Sequence, residues 1–326
     1  MGLKNIWVVY GGNSSEREVS LKSGSNVAEA LKKKGFEVKA VEIQNPADFV
    51  SQCSKFLMGS EKQPDLVFIG LHGEFGEDGH LQGYLETIGV PYVGSGVLSS
   101  ALSLNKVLAQ RILNSYSLPI AKFFELNKNS FFLDKLLKEE PTLLSKKYFI
   151  KAARQGSTLG VYRYDPKSYI ESERVDAFES LCQKAFHFDD EVLLEEWIEG
   201  RELTCAVVHG KAFPIVEIRP LSKFYDFQSK YTAGQTEYIC PAPIEADVAE
   251  KIKEACVKAS ECLRCQDYVR IDVMLKESGD FYILEANTLP GMTATSLVPK
   301  AAKAEGMNFE EFLEYLVLRS YERQTK

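Results

Sequence analysis

The chain has 326 residues, of which 45% are hydrophobic and 26% are charged, a composition typical of a globular protein with two or three domains. Its formal net charge of -7 argues against broad nucleic-acid binding, because recognition of a nucleic-acid backbone requires clustered lysine and arginine. No segment approaches the roughly 20 apolar residues that span a membrane, and the seven cysteines stand at irregular spacings unlike a disulfide framework. We therefore expect a cytoplasmic protein with reduced cysteines that binds neither nucleic acid nor membrane.

The first part of the chain, residues 1–96, alternates strand and helix patterns. The continuous apolar run at residues 6–10 predicts a buried parallel strand, and a helix is expected to follow it. Residues 36–43 and 65–71 predict the next strands. This part is therefore predicted to be a doubly wound α/β domain with a parallel sheet.

The rest of the chain is predicted to form two further domains of mixed α+β character, at residues 97–195 and 196–326. Helices are predicted at residues 101–113, 130–140 and 248–263, and at the C-terminus. Strands are predicted at residues 147–152, 159–164, 203–208 and 213–218, followed by a hairpin at 269–287. The predicted fold class is therefore α/β, with α+β character in the C-terminal parts.

The predicted hairpin at residues 269–287 carries acidic side chains on one face. Its other face is almost wholly apolar, so burial of that face fixes the register; the residues concerned are Ile271, Val273, Leu275, Tyr282, Leu284 and Ala286. A four-residue turn then pairs Lys276 with Phe281, Asp272 with Glu285, and Arg270 with Asn287.

Opposed carboxylates at Asp272 and Glu285 repel each other, which indicates that a cation lies between them. A site with oxygen ligands only, including Asn287, favours Mg²⁺ or Mn²⁺. A solvated charged face is the alternative interpretation of the same pattern. Because Mg²⁺ held by few side chains completes its shell with phosphate oxygens and water, phosphate-binding cations are also expected.

Several other segments are candidates for the same site. The lysines at 106, 151 and 230 could neutralise phosphates, as could the loop at 154–158 through its amides. The glycine-rich segment at 72–79 follows the third strand, at the edge where α/β folds bind ligands, although a flexible loop is the alternative. The tyrosine-rich segment at 224–231 lies in a long connection and is either a lid or interface packing.

Five motifs stand out along the chain: GGNSSEREVS at 11–20, LHGEFGEDG at 71–79, FYDFQSKY at 224–231, RID at 270–272 and LEANTLPGMT at 284–293. Taken together, these segments resemble the D-alanine–D-alanine ligase family of ATP-grasp enzymes over nearly the whole chain. The order and spacing of these motifs along the chain are specific to this family. The resemblance implies an ATP-grasp fold, ATP-dependent joining of two D-alanines through an acyl phosphate for peptidoglycan synthesis, and a homodimer.

The resemblance also implies roles for residues around ATP. Three oxygen ligands would hold two Mg²⁺ or Mn²⁺ ions on its phosphates: Asp272, Glu285 and Asn287. Three cations would neutralise those phosphates: Lys106, Lys151 and Lys230. The adenosine part would contact Glu195, Trp197, Ile198 and Glu202.

The remaining implied roles concern the two amino acids. The ammonium of the first would be bound by Glu16, with Ser157 and Tyr231 beside it, and its carboxylate would lie near His72. The oxyanion of the reaction would be stabilised by Arg270 and the Gly291 amide. The second carboxylate would be received by Ser296 and Leu297.

The sequence departs from the family pattern in the loop that follows Lys151. Ala152 stands where proline is usual, and Gln155 stands where an acidic residue is common, so the behaviour of this lid segment can differ from that of relatives. The Lys230–Tyr231 ending of the other lid segment, 221–240, is intact and favours D-alanine as second substrate over D-lactate or D-serine. A non-catalytic ATP-binding regulatory protein is disfavoured because no implied ligand is missing.

Overall fold

The parallel sheet predicted at the N-terminus is present in the computed structural model, which describes residues 2–156, 158–220 and 236–325. The strand order is β2-β1-β3-β4 and every pair is parallel. The strands are β1 (Asn5–Gly11), β2 (Glu37–Ile43), β3 (Leu66–Ile69) and β4 (Tyr92–Val93). The helices that connect them are α1 (Arg17–Lys33), α2 (Pro46–Leu57) and α3 (His80–Thr87).

Helix α1 packs unusually close to this sheet, because Gly24 has no side chain. A Cβ at Gly24 would lie 2.2 Å from Cγ of Tyr10 in β1. One turn earlier, the Ser20 hydroxyl donates to the Gly70 carbonyl at 2.7 Å and accepts from the Gly11 amide at 2.8 Å. These contacts hold the N-terminal end of α1 at the carboxyl edge of the sheet, and Glu16 stands at that end as the N-cap residue.

A second sheet, with antiparallel pairs in the order β5-β8-β6-β7, forms the central part of the chain. Its strands are β5 (Phe123–Asn127), β6 (Tyr148–Ala152), β7 (Val161–Tyr164) and β8 (Glu191–Glu196). The helices of this part are α4 (Val97–Leu104), α5 (Lys106–Ser115), α6 (Leu133–Glu139) and α7 (Arg174–Phe186), with 3-10 turns at Leu143–Ser145, Pro166–Ser168 and Glu171–Glu173. Its core contains the buried rings of Tyr148, Tyr164, Phe178 and Phe186.

The single helix predicted at 101–113 is wrong, because the structure has two helices, α4 and α5, separated at Asn105. The backbone of Asn105 is extended, and its side chain caps α5 by accepting from the Leu108 amide at 3.1 Å. An asparagine that caps a new helix competes with continuation of the old one. The break places Lys106 at the first position of α5.

The third sheet contains the hairpin and has the order β12-β11-β9-β13-β14, with β10 paired to β9. Its strands are β9 (Arg201–Val208), β10 (Lys211–Ala212), β11 (Val216–Pro220), β12 (Thr236–Ile239), β13 (Tyr268–Leu275) and β14 (Phe281–Asn287). The helices packed with it are α8 (Ala246–Cys262), α9 (Leu297–Ala304) and α10 (Phe309–Thr325). The three sheets follow the three predicted segments, whereas the exact domain boundaries stay a prediction.

The predicted register of the hairpin is confirmed at its acidic end and wrong near its turn. Asp272 pairs with Glu285 and Arg270 with Asn287, but a bulge after Asp272 makes Leu275, rather than Lys276, the partner of Phe281. The extra residue of a bulge shifts the alternation of side chains. Ile283 is therefore fully buried, whereas Tyr282 and Leu284, both predicted to be buried, are only half-buried.

Across the three described ranges, the helices lack the length and apolar character of a membrane span.

We predict that Gly24→Ala lowers the free energy of unfolding by about 1–3 kcal/mol, because the added methyl overpacks the contact with Tyr10. This loss should exceed the roughly 1 kcal/mol that alanine gains over glycine in a helix. Urea denaturation measures the sum of the overpacking loss and the helix-propensity gain. The control is Ser25→Ala, at an exposed neighbouring position in α1, whose free energy of unfolding should change by less than about 0.5 kcal/mol. A Gly24→Ala protein as stable as the parent contradicts the close packing.

Candidate active site

One cavity of about 1870 Å³ is lined by residues from all three sheets and their connections. Every predicted site residue within the described ranges lines it: Glu16, His72, Lys106, Lys151, Glu195, Trp197, Ile198, Glu202, Arg270, Asp272, Glu285, Asn287, Gly291, Ser296 and Leu297. Ser157, Lys230 and Tyr231 lie outside the described residues. The structure therefore brings together side chains that are spread over nearly 300 positions of the chain.

A slot with one aromatic wall lies at the central sheet, as part of the cavity. The rings of Phe149 and Trp197 have centroids 5.1 Å apart, and the Arg163 guanidinium lies 5.6 Å and 5.7 Å from these two centroids. Ile198 and Leu284 add apolar surface to the same lining. An aromatic wall with apolar edges suits a planar ring system.

Three residues of this slot were missed by the sequence reasoning: Phe149, Arg163 and Leu284. A signal for Phe149 exists, because it stands two positions before Lys151 in β6 and so shares its face. Leu284 carried no such signal, since the bulge that turns it towards the cavity breaks the alternation.

Lys151 and Glu195 form a buried ion pair beside the slot. Their Nζ and Oε2 atoms are 2.6 Å apart, and Glu195 is only 1% exposed. Burial by itself lowers the pKa of Lys151, but the negative charges of Glu195 and Glu285 outweigh that effect and raise it above its usual value. Lys151 is therefore held as a cation inside the cavity.

Lys106 joins helix α5 to the loop at 153–160. Its Nζ donates to the Gln155 carbonyl at 2.6 Å, and its amide donates to the Ala153 carbonyl at 3.0 Å. The loop is further fixed by the Arg154 amide, which donates to the buried Asp189 carboxylate at 2.9 Å. This contact uses the backbone carbonyl of Gln155 and is therefore independent of the departure of that side chain from the family pattern.

The acidic end of the cavity is neutralised by an arginine. Arg270 donates to Asp272 with both Nε and Nη2, at 2.9 Å and 2.7 Å to its two carboxylate oxygens, and Asp272 is 7% exposed. The guanidinium therefore supplies positive charge to Asp272, and the metal ion expected between Asp272 and Glu285 stays a prediction. A buried carboxylate without such a partner would be strongly unfavourable.

The same end nevertheless has the donor set of a hard cation. Among the described residues, no group of three or more His, Cys, Asp and Glu side chains is arranged to hold a metal. Two carboxylates, Asp272 and Glu285, and the Asn287 amide line the cavity together. Mg²⁺ that takes its other ligands from phosphate and water needs few protein oxygens, so this set fits it.

At the N-terminal side, Glu16 lies between two glycines. A Cβ at Gly156 would be 2.9 Å from Oε2 of Glu16, and one at Gly73 would be 3.4 Å from the same atom. The loops that contain these three residues therefore meet at the Glu16 carboxylate. Absence of side chains at both glycines makes that approach possible.

His72 is buried and bonded through both ring nitrogens. Nδ1 lies 2.9 Å from the Leu289 carbonyl, so it carries a proton, and Nε2 lies 3.2 Å from Oγ of Ser23. That hydroxyl also accepts from the Met292 amide at 3.2 Å. In this arrangement His72 fixes α1 against the 288–292 segment, and the predicted contact with a substrate carboxylate would require exchange of one of these bonds.

The N-terminal end of α9 faces the cavity beside Gly291. Ser296 is its N-cap residue, yet its hydroxyl accepts from the Thr293 amide at 3.0 Å rather than capping α9. The first amides of a helix without a side-chain cap remain available as anion donors. Ser296 and Leu297 both line the cavity at this point.

Comparison with known proteins agrees with this geometry. The family model described as D-ala D-ala ligase N-terminus matches residues 5–63 and 55–95, and the one described as D-ala D-ala ligase C-terminus matches residues 112–318. The chain belongs to the D-alanine–D-alanine ligase family. This confirms the resemblance and the ATP-grasp fold and makes the protein a member of a family of ATP-dependent ligases.

Similar ligases of this family cover almost the whole chain. The D-alanine–D-alanine ligase of Syntrophotalea carbinolica is 40% identical over 96% of this chain and 95% of its own length, and that of Geotalea uraniireducens is 38% identical over 96% and 94%. The Bacillus anthracis D-alanine–D-alanine ligase complexed with ATP superimposes with a TM-score of 0.80, at 30% identity and 99% coverage of both chains. The VanG D-Ala:D-Ser ligase from Enterococcus faecalis also gives 0.80, at 30% identity over 98% and 100%.

We predict that Glu195→Gln destabilises the ligase by about 3 kcal/mol, because loss of one partner leaves Lys151 buried without its countercharge. The pKa of Lys151 should then fall, since burial is the largest influence on it. Glu196→Gln is a matched control, because Glu196 meets Lys146 in a partly exposed pair at 3.4 Å and should lose less than about 1 kcal/mol. Equal losses in the two variants, measured by denaturant unfolding, contradict the buried-pair interpretation.

Proposed function

We propose that this protein joins two D-alanines into D-alanyl-D-alanine at the expense of ATP, through an acyl-phosphate intermediate, for peptidoglycan synthesis. The single observation that carries the proposal is the cavity itself. It combines an aromatic slot, cationic lysines, an acidic oxygen cluster and a helix N-terminus, which are the parts that a nucleotide and two amino acids require. Family membership over the whole chain supports the same reaction.

The nucleotide is proposed to lie along the central sheet. The adenine ring packs on the aromatic wall formed by Phe149 and Trp197, with Glu202 and the backbone near Ile198 at its edge. Lys106 and Lys151 neutralise the phosphates, and the raised pKa of Lys151 keeps that residue charged at neutral pH. Lys230, outside the described residues, is proposed as a third phosphate cation.

Asp272, Glu285 and Asn287 are proposed to hold two Mg²⁺ or Mn²⁺ ions, which when bound would neutralise charge on the ATP phosphates. Occupation of Asp272 in this way would release Arg270 from its present contact. Arg270 would then be available to a negative charge that develops during the reaction.

The two amino acids are proposed to bind between Glu16 and helix α9. Glu16 binds the ammonium of the first D-alanine, with Ser157 and Tyr231 beside it, and His72 positions the surrounding segments. The first carboxylate attacks the γ-phosphate, which forms an acyl phosphate and releases ADP.

The second step is attack of the second amine on the acyl carbon. Ser296 and the Leu297 amide hold the carboxylate of that second D-alanine. Arg270 and the Gly291 amide stabilise the tetrahedral oxyanion, and inorganic phosphate then leaves. One preorganised donor contributes about 3–4 kcal/mol to such a step.

A homodimer in the cytoplasm is part of the proposal. All seven cysteines are free thiols in the structure, which accords with a reducing compartment.

We predict that purified protein releases phosphate from ATP only when D-alanine and Mg²⁺ or Mn²⁺ are both present. The assay compares D-alanine, L-alanine and no amino acid, with and without metal, and mass spectrometry identifies the product as D-alanyl-D-alanine. L-alanine should give the background rate because Glu16 and the oxyanion donors orient only one configuration. Phosphate release that is independent of D-alanine contradicts the proposed function.

A D-alanine–D-serine ligase is the second candidate, because the D-Ala:D-Ser ligase from Enterococcus faecalis is as similar in structure as an authentic dipeptide ligase. Equimolar competition of D-alanine with D-serine or D-lactate separates the two functions. The intact Lys230–Tyr231 ending favours D-alanyl-D-alanine as the main product at neutral pH. A predominance of the mixed product establishes the variant specificity instead.

We predict that Arg270→Ala lowers kcat by about 10²–10³-fold, because it removes a donor that acts in the transition state. Binding of ATP, measured by calorimetry, should change by less than about threefold, which is under 1 kcal/mol. Arg319→Ala is the control, since Arg319 is an exposed arginine of α10 that does not line the cavity. Unchanged turnover of Arg270→Ala rules out the oxyanion role.

A further inference from the structure

Lys300 is a cavity-lining cation for which the proposed reaction has so far no use. It lies on α9, and its amide donates to the Ser296 carbonyl at 3.0 Å, so the two residues are one helical turn apart. Side chains on a helix lean towards its N-terminus. A side chain at position 300 is therefore expected to cover the turn that begins at Ser296, and both residues line the cavity.

The position of its ammonium is set by a tyrosine on the neighbouring sheet. Nζ of Lys300 lies 5.5 Å from the centroid of the Tyr238 ring, within the range of a cation–π contact. Tyr238 belongs to β12, pairs with Ile218 in β11 and also lines the cavity. Among the described residues, none of the ion pairs involves Lys300, and its contact with the Tyr238 ring contributes to its orientation.

The positive charges of Lys300 and of the N-terminal end of α9 together favour the binding of an anion. A lysine directed at the N-terminal end of a helix meets the positive end of the helix dipole, which is unfavourable in the absence of negative charge. A carboxylate placed between the two is attracted by both. The phosphates are proposed to lie elsewhere, against Lys106 and Lys151 of the central part of the chain.

We propose that Lys300 is a specificity-determining residue that binds the carboxylate of the second amino acid, with Tyr238 as the positioning residue of its ammonium. This inference rests on the proposed function, since it needs a second amino acid at Ser296 and Leu297. It assigns to that substrate a full ion pair in addition to hydroxyl and amide donors. It also connects the recognition of the second substrate to β12, which directly follows the segment 221–235.

The test is the dependence of initial rate on D-alanine concentration at saturating ATP, fitted with separate KM values for the first and second D-alanine. For Lys300→Met, the KM of the second D-alanine should rise roughly tenfold or more, as expected for loss of a charge-assisted contact. The first KM, the KM of ATP and kcat should stay within about threefold. Lys300→Arg should recover most of the loss.

Two further variants sharpen the assignment. Lys303→Met makes the same change of charge at an exposed position of α9 outside the cavity and should leave the second KM unaltered. Tyr238→Leu removes the ring and should raise the second KM, whereas Tyr238→Phe keeps the ring and should not. Such a pattern supports a role in recognition rather than in folding.

The outcomes that overturn the proposal are distinct from those that overturn the function. An active parent enzyme with an unchanged second KM in Lys300→Met rejects the role of Lys300 alone. A parallel fall of all kinetic parameters together with the thermal midpoint also rejects it, because that result shows a structural role. A parent protein without D-alanine-dependent phosphate release rejects the proposed function and, with it, this assignment.

Discussion

Two carboxylates that face each other across a hairpin set the electrostatic constraint on which this cavity depends. Asp272 and Glu285 are paired by strand register, so the fold cannot move them apart and must supply positive charge instead. Arg270 contacts Asp272 at 2.7 Å, and the charge of Glu285 contributes to the raised pKa of Lys151 on another sheet. The same negative charge that holds these cations in place also suits a metal ion on a polyanion.

The carboxylates and the cations that neutralise them come from different sheets, so the site exists only when the three sheets are packed together. Ser23 of α1, His72 and the Met292 amide form one hydrogen-bonded chain that links the parallel sheet to the segment after β14. Lys106 links α5 to the neighbouring loop. An enzyme that forms an acyl phosphate must exclude water from its site, and contacts between the three parts of the chain help to enclose the cavity. This requirement fits a family of ATP-dependent ligases.

Local patterns predicted much of the fold and failed where a single residue interrupted them. Alternation in the hairpin predicted the pairing of Asp272 with Glu285, because burial of an apolar face leaves only one register. It failed beyond the bulge at Leu284, since one inserted residue reverses the face of every later side chain. The single helix predicted at 101–113 failed for a related reason, because Asn105 ends one helix and its side chain caps the next.

The sequence by itself determined the family, the parallel arrangement of the first sheet, the pairing at the acidic end of the hairpin and the set of polar residues that could form a site, since order, spacing and alternation are properties of the chain. Only the tertiary structure decided which side chains meet: Arg270 with Asp272, Lys151 with Glu195, and Lys300 with Tyr238. It also decided that Phe149 and Trp197 pack against each other on one side of the cavity. Contacts between distant residues depend on how sheets and helices pack, and strand periodicity specifies the face of a side chain but not its neighbour on another element.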